Sequence, residues 1–188
     1  MRKLKLQMQM TINGYVAQRN GKNDWMTWNP DEELISFMNS MLDTSDTLLL
    51  GRKTAESIIK FWEDTANENP THPFAKKIAS IPKIVFTETL NKSNWNNTAL
   101  AKENLVEKIT NLKKQKGKDI LVFGGASFVS SLIKENLIDE YYLIVNPTAI
   151  SNGMTIFNSF DNVRKFTPTQ AKLYSGGKIV LSYKPNNE

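Results

Sequence analysis

The sequence predicts an α/β domain whose central sheet is mostly parallel, with antiparallel strands at its C-terminal end. Short apolar runs alternate with helical patterns along most of the chain, as they do where crossover helices join parallel strands. The run at residues 120–123 lacks polar alternation, which indicates a strand buried on both faces. The last two runs follow each other without a helix between them and predict a closing hairpin.

Residues 1–188 are expected to form a single domain, because no repeat or long linker divides the chain and 40% of its residues are hydrophobic. The polar stretch at residues 64–72 is too short to separate two cores. The sequence has no cysteine and one histidine, His72, beside Pro73. This composition argues against thiolate or imidazole metal sites, cysteine nucleophiles and Ser-His-Asp triads. We therefore expect no metal site, and a loop position for His72.

The first strand and helix are predicted from period and capping. Apolar residues alternate with polar ones over residues 4–12, which indicates a strand with one buried face. The segment Asn29-Pro30-Asp31-Glu32 is typical of a helix start, with Asn29 as the N-cap and Pro30 at the first helical position. Apolar residues then recur at helical spacing, and the helix is expected to end near Asp43.

The remaining elements follow from short apolar runs and from helical spacing. Further strands are predicted at residues 47–50, 84–86, 120–123 and 141–145, and further helices at residues 54–62, 105–112 and 126–134. The closing hairpin turns at Ser175-Gly176-Gly177, and its strands bring Leu173 together with Ile179 and Leu181.

The chain carries a formal charge of +5, from 24 basic and 19 acidic residues. Such a balance is compatible with nucleic acid or with small anionic ligands such as phosphorylated cofactors. The densest basic run, residues 113–118, lies between a helical and a strand pattern, and we interpret it as a solvated helix end that complements the macrodipole. A nucleic-acid binder that uses this run is the alternative, although no aromatic platform is interleaved with it.

Two further expectations concern location and assembly. The N-terminal segment has no apolar core of a secretory signal, and no stretch approaches the roughly 18 apolar residues of a membrane span. We therefore expect a cytoplasmic protein that binds no membrane. The apolar residues Ile133, Leu137 and 141–145 exceed what one small sheet needs, which predicts a homodimer.

A paired-glycine junction is the most informative motif. Gly124 and Gly125 follow the buried strand at once, and Ala126 and Ser127 open the next helix. Two glycines allow a ligand to approach the backbone, and the free N–H groups of the helix start favour a phosphate. The alternative interpretation is a tight strand-to-helix turn that needs positive φ.

A second junction offers cations and a hydroxyl at a helix start, in the order Gly51, Arg52, Lys53 and Thr54. These groups suit phosphate binding by charge-assisted hydrogen bonds. The spacing is not that of a Walker A loop, so an NTPase is disfavoured. The alternative is an exposed basic turn capped by Thr54. Two such junctions after parallel strands can together hold a dinucleotide.

With these motifs in order, the chain resembles the dihydrofolate reductase-like superfamily. The likeness is closest to the reductase domain of the riboflavin-biosynthesis deaminase–reductase and its stand-alone relatives. It is carried by the segments at residues 10–17, 46–54, 122–127 and 137–143, followed by Pro147, Gly153 and Phe157. The resemblance covers nearly the whole chain and implies a three-layer α/β/α fold.

The resemblance implies NADPH as the cofactor. In that family the Gly-Arg-x-Thr junction holds the adenosine 2′-phosphate and the pyrophosphate, and the paired-glycine turn covers the pyrophosphate. The cofactor-binding residues implied by this likeness are Ala17, Gly51, Arg52, Lys53, Thr54, Thr87, Gly124, Gly125, Ala126 and Ser127. Among them, Thr87 lines the adenine end and Ala17 faces the nicotinamide.

The substrate and the proton donor are expected beside the first helix. Dihydrofolate reductases place a carboxylate early in the helix after a Trp-Asn-x-Pro stretch, and Trp28-Asn29-Pro30 is similar. The helical register favours Glu33 as the acid, with Asp31 as the second choice, although acids in a first turn also complement the dipole. The expected substrate-binding residues are Asn13, Trp25, Trp28 and Phe37.

The resulting hypothesis is an NADPH-dependent reductase that transfers a hydride to a C=N or C=O group of a small pterin- or pyrimidine-like heterocycle. The resemblance implies activity like that of 5-amino-6-(5-phosphoribosylamino)uracil reductase in riboflavin biosynthesis. Asn13 stands where riboflavin-type reductases have aspartate, and residues 52–56 differ from their Ala-Asp-x-Pro loop, so the phosphoribosyl substrate stays open. The alternatives are a dihydrofolate reductase proper and a non-catalytic nucleotide- or nucleic-acid-binding module.

Overall fold

The apolar runs of the sequence form the strands of one eight-stranded sheet. The computed structural model describes residues 1–160 and 162–186. The strands are β1 (Leu4–Thr11), β2 (Ser45–Gly51), β3 (Lys83–Phe86), β4 (Thr98–Ala101), β5 (Asp119–Gly124), β6 (Glu140–Asn146), β7 (Phe166–Leu173) and β8 (Ile179–Pro185). The helices are α1 (Glu32–Asp43), α2 (Arg52–Glu68), α3 (Ala75–Ser80), α4 (Leu105–Lys114) and α5 (Ala126–Lys134).

The sheet has the order β4-β3-β2-β5-β1-β6-β8-β7. Strands β1 to β6 pair in parallel, β8 is antiparallel to β6, and β7 is antiparallel to β8. The predicted fold class is therefore confirmed. Strand β5 lies between β1 and β2, and its residues Ile120, Leu121 and Val122 are fully buried, as the absence of polar alternation predicts.

Helices cover both faces of the sheet. On β2, Leu48 and Leu50 pack in one core cluster with buried residues of α1 and α2. Leu49 points the other way and packs in a second cluster with Ile109 of α4 and Val129 of α5. Because successive side chains of a strand alternate between faces, the two clusters define the two outer layers of an α/β/α arrangement.

Helix α1 begins later than the capping pattern predicts. Its N-cap is Asp31, whose Oδ1 accepts a hydrogen bond from the Leu34 amide at 2.8 Å. The predicted N-cap at Asn29 is therefore wrong, and Pro30 precedes the helix. A carboxylate next to the first turn is a good cap because it also complements the helix dipole.

Two short elements, α3 and β4, have no counterpart in the sequence prediction. Strand β4 has four residues, of which only Ala101 is buried. It joins the sheet by parallel pairing with β3, from Lys83 opposite Thr98 to Phe86 opposite Ala101. An edge strand of this kind is held by non-local backbone hydrogen bonds, so its own sequence carries little period.

The apolar surplus that predicts a homodimer is used within the chain. Ile133, Leu137, Tyr141 and Leu143 are all buried in the core cluster that contains α5. Phe157, Phe160 and Phe166, from the segment before β7 and from β7 itself, pack against that cluster. Packing within the chain thus accounts for these apolar residues. They no longer support a homodimer, which stays a prediction.

The basic run at residues 113–118 is only partly solvated. Lys113 is buried, and its Nζ pairs with Asp139 Oδ2 at 2.7 Å. Lys118 Nζ donates to the carbonyl of Asp43 at 2.8 Å. The expectation of a wholly solvated helix end is therefore wrong for Lys113, whose charge is paired.

The described residues also bear on membranes and metals. None of their helices is long and apolar enough to cross a membrane. They bring together no group of three or more histidine or carboxylate side chains that could hold a metal ion. His72 lies in the loop between α2 and α3, where its Nδ1 accepts from the Phe74 amide at 3.2 Å.

Candidate functional site

A cavity of about 930 Å³ opens at the carboxyl ends of β2 and β5. Its position follows from the sheet order, because the chain leaves β2 towards β3 on one side and leaves β5 towards β6 on the other. Ligands of open α/β sheets bind at such a switch point. Eleven of the predicted site residues line it: Ala17, Trp25, Trp28, Gly51, Arg52, Lys53, Thr54, Gly124, Gly125, Ala126 and Ser127.

The two helices that begin at this cavity have open N-termini. The N-cap of α2 is Gly51 and that of α5 is Gly125, and neither helix start has a side-chain capping hydrogen bond or an acidic residue in its first turn. Helices α1 and α4 differ, since Asp31 and Asn104 cap them. The first N–H groups of α2 and α5 are therefore available to an anion. The predicted capping by Thr54 is wrong.

The two helix starts are in contact. A Cβ atom at Gly51 would lie 2.9 Å from the Cβ of Phe128 and 3.6 Å from the backbone nitrogen of Gly125. A Cβ atom at Gly125 would collide with Oγ1 of Thr54. Gly124 has φ +131, a conformation that residues with a side chain rarely adopt. The alternative interpretation of this junction, a tight turn that needs positive φ, therefore also applies. The glycines thus allow the two helix starts to pack closely against each other.

Three basic side chains, those of Arg52, Lys53 and Lys22, line the cavity, and none of the described lining residues carries a carboxylate. Arg52 Nη1 donates to Glu56 Oε1, one turn along α2, at 2.7 Å. Cations in the first turn oppose the helix dipole, so this helix start is electrostatically unfavourable until an anion binds there.

The other half of the cavity has an aromatic wall. The rings of Phe61, Trp62, His72, Phe74 and Trp28 make successive edge contacts, with centroids 5.0, 5.3, 5.8 and 5.9 Å apart. All but His72 line the cavity, and we name these five rings the aromatic arc. Such a wall suits a flat aromatic ligand.

The two acids predicted as proton donors lie outside the cavity lining. The exposed Glu33 forms an ion pair with Lys172. The carboxylate of Asp31 accepts from the Leu34 amide and from Ser175, and these hydrogen bonds lower its pKa to about 2. A carboxyl that stays ionised and engaged as a helix cap is poorly suited to donate a proton. The expected acid roles therefore have no geometric support.

Three other predicted residues also lie outside the lining. Thr87 is buried in a turn, where its Oγ1 accepts the amides of Thr89 and Leu90. Asn13 is exposed, and its Nδ2 donates to the carbonyl of Ile150 at 2.8 Å. Phe37 packs against the rings of two tyrosines in the core. Each side chain thus has a structural role at its position.

Several lining residues escaped the sequence prediction. Phe86 and Phe128 stack at 4.9 Å beside the helix starts, and Gln7 and Gln9 project from the middle of β1. The alternation of β1 places both glutamines on the face opposite its apolar residues. This alternation was the one sequence signal that could have singled them out. That this face borders a cavity depends on how α1 and the loop before it cover the sheet.

Comparison with known proteins relates this architecture to a family. A family model described as the RibD C-terminal domain matches residues 2–180. The uncharacterised protein YyaP of Bacillus subtilis is 28% identical over 182 residues, which cover 97% of this chain and 94% of that protein. The riboflavin biosynthesis protein RibD of Buchnera aphidicola is 25% identical over 186 residues, which cover 79% of this chain and 49% of that protein.

A solved structure shows the same fold. The diaminohydroxyphosphoribosylaminopyrimidine deaminase/5-amino-6-(5-phosphoribosylamino)uracil reductase of Thermotoga maritima superposes with a TM-score of 0.70 at 17% identity. The superposition covers 98% of this chain and 57% of that chain, so the likeness concerns one part of the larger protein. The chain has the dihydrofolate reductase-like fold.

Proposed function

Because the chain belongs to the RibD C-terminal domain family, as its motifs predict, we propose that it is an NADPH-dependent reductase of a small heterocyclic substrate. The observation that carries the proposal is the meeting of two uncapped helix starts, at Gly51 and Gly125, beside Arg52 and Lys53. Such a site offers backbone donors and cations, and no opposing carboxylate among the described lining residues, to a ligand with several phosphate groups.

The two junctions fit the cofactor in their chemistry. Gly124 and Gly125 line the cavity, and the first amides of α5, which no side chain caps, would donate to a pyrophosphate. Arg52 and Lys53, which line the cavity, would hold the 2′-phosphate that distinguishes NADPH from NADH. When bound, the cofactor supplies a hydride to a C=N or C=O carbon of the substrate.

The substrate would occupy the half of the cavity bounded by the aromatic arc. The named reaction of the Thermotoga maritima relative makes 5-amino-6-(5-phosphoribosylamino)uracil the first compound to test. No carboxylate among the described lining residues can donate the proton that accompanies the hydride, so we expect solvent water to supply it. For the same reason a dihydrofolate reductase proper is the less favoured candidate.

The test is a titration of the purified protein with NADPH and with NADH, followed by an assay of NADPH oxidation with the uracil substrate. We expect tighter binding of NADPH, and weaker NADPH binding after Lys53→Ala. Lys76→Ala, an exposed lysine on α3 outside the cavity lining, is the matched control and should leave binding unchanged. Equal or absent affinity for the two cofactors would contradict the proposal, and cofactor binding without turnover of any heterocycle would favour a non-catalytic module.

A further inference from the structure

A buried lysine fixes the orientation of an amide beside the cavity wall. Lys178 is 1% exposed, and its Nζ donates to the carbonyl of Thr27 and, at 2.6 Å, to Oδ1 of Asn146. An ammonium group can only donate hydrogen bonds, so it requires the oxygen, and not the nitrogen, of the Asn146 side chain. The nitrogen of that amide, Nδ2, must then face away from the lysine.

Asn146 passes this orientation on to Gln9, on the neighbouring strand. Nδ2 of Asn146 donates to the carbonyl of Ile144 at 3.2 Å and to Oε1 of Gln9 at 2.8 Å. A flipped Gln9 would place N–H donors against N–H donors, so its oxygen is directed towards Asn146. The three side chains therefore form a hydrogen-bonded chain of one polarity, which starts at the cation and ends at Nε2 of Gln9.

Nε2 of Gln9 is available to a ligand. Gln9 lines the cavity and is only partly buried, and its Nε2 donates to none of the described residues. The fully buried polar atoms that lack a partner include Oε1 of Gln7, on the same face of β1, but not this nitrogen. Nε2 of Gln9 therefore keeps accessible surface, on a residue that borders the cavity.

We propose that Gln9 is a specificity-determining residue of this site, and that Lys178 and Asn146 are its positioning residues. Gln9 presents a donor, and no acceptor, to the cavity, so it favours a ligand with a hydrogen-bond acceptor at that point over one with a donor there. A mismatched ligand would set two donors against each other without partners, which is costly where water is excluded. The proposal rests on the proposed reductase function only for the statement that this ligand is the substrate.

Quinoline and indole test this donor directly. Both are flat bicyclic rings that suit the aromatic arc, and both are uncharged at mildly alkaline pH. Quinoline has an acceptor, its ring nitrogen, whereas indole has a donor, its ring N–H. NMR titration of the protein in excess NADP⁺ should give a dissociation constant about two- to tenfold lower for quinoline, which is the range that one hydrogen bond supplies.

Three variants test the polarity of the chain through the ratio of the two dissociation constants. Gln9→Met removes the donor and should bring the ratio close to one. Gln9→Glu keeps an acceptor for Asn146 but presents a carboxylate oxygen to the cavity, so indole should become the tighter ligand. The double variant Lys178→Met/Asn146→Leu leaves Gln9 without its fixed partners, and should also bring the ratio close to one.

The ratio separates a binding role from a structural role. The two probes have nearly the same shape, so a general loss of stability or packing weakens both alike, whereas a change at the donor alters their ratio. Thermal unfolding of each variant measures the stability separately. Gln115→Glu, an exposed glutamine at the end of α4 and outside the cavity lining, is the matched control for the change of charge and should leave the ratio unchanged.

Each contrary outcome has a defined meaning. The proposal is overturned if indole binds the unchanged protein as tightly as quinoline, if neither probe binds, or if Gln9→Met keeps the preference. The positioning roles are overturned if the double variant keeps the ratio of the unchanged protein or fails to fold. If Gln9→Glu does not fold, the uncharged Gln9→Met, of similar length, still decides between the outcomes.

NADPH titration of the same preparation keeps failure of the proposed function separate. Absent cofactor binding would contradict the reductase, whereas a preference for quinoline in that preparation would still support the donor at Gln9. Cofactor binding without that preference would overturn the role of Gln9 and leave the reductase proposal standing.

Discussion

Replacement of Arg52 tests the cofactor assignment most directly. Its guanidinium lies at the start of α2 and is held by Glu56 at 2.7 Å, with side-chain exposures of 33% and 44%. A partly exposed pair of this kind on a helix contributes only about 0.3–0.5 kcal/mol. A hydrogen bond to a charged phosphate is worth roughly 1.5–3 kcal/mol, so the guanidinium gains more from the ligand than it loses by leaving Glu56.

From these magnitudes, Arg52→Ala should raise the Kd for NADPH by roughly 10- to 150-fold. The Kd for NADH should change by less than about twofold, because NADH lacks the 2′-phosphate and the lost helix pair is weak. Isothermal titration at low and moderate salt measures both values, and the NADPH effect should shrink with salt because the site is partly exposed.

Glu56→Gln supplies a matched comparison on the same helix. It frees the guanidinium and removes a negative charge near the phosphate site, so NADPH should bind about twofold more tightly. An equal loss of NADPH and NADH affinity in Arg52→Ala, or weaker NADPH binding in Glu56→Gln, would refute the assignment of the 2′-phosphate to Arg52.

Two further predictions concern stability and pH. The Leu34 amide and Ser175 lower the pKa of Asp31 from 3.8 to about 2, so the stabilisation is complete above pH 3.8 and is lost as the pH falls through about 2. Asp31→Asn keeps a capping side chain and should flatten this acid limb in denaturant unfolding measured across pH; an unchanged slope would contradict the capping argument. Burial lowers the pKa of Lys178 below 10.5, so stability should rise as the pH increases from that lowered value towards 10.5. Lys178→Met should make this rise in stability with pH less steep. Part of the rise should remain, because burial also lowers the pKa of Lys83. A rise as steep as in the unchanged protein would contradict the assignment to Lys178.

Local patterns predicted the elements well where neighbouring residues alone decide them. Helix α5 has the predicted bounds, 126–134, and the strand predicted at 120–123 is β5 with one more residue at each end. Alternation and helical spacing depend on residues close together in the sequence, so they can be recognised before the fold is known. The edge strand β4 was missed because only Ala101 of it is buried, so its sequence carries no clear period, and the six-residue α3 is too short for helical spacing to show.

The predicted proton donors show where local reasoning fails. Glu33 lies in the first turn of α1, but the β7–β8 hairpin brings Lys172 and Ser175 to that helix start. These partners are 139 residues from Glu33 and 144 residues from Asp31. No pattern within the helix could have indicated that both acids would be engaged away from the cavity.

The amino-acid order alone determined the chemistry of the two junctions, because backbone freedom at Gly125 and positive charge at Arg52 are properties of the residues themselves. The tertiary structure decided that the junctions meet, since only the pairing of β2 with β5 brings the two helix starts together. It also decided that Gln7 is unpartnered while Gln9 is paired, because the partner of a buried amide is set by whatever the fold packs over it.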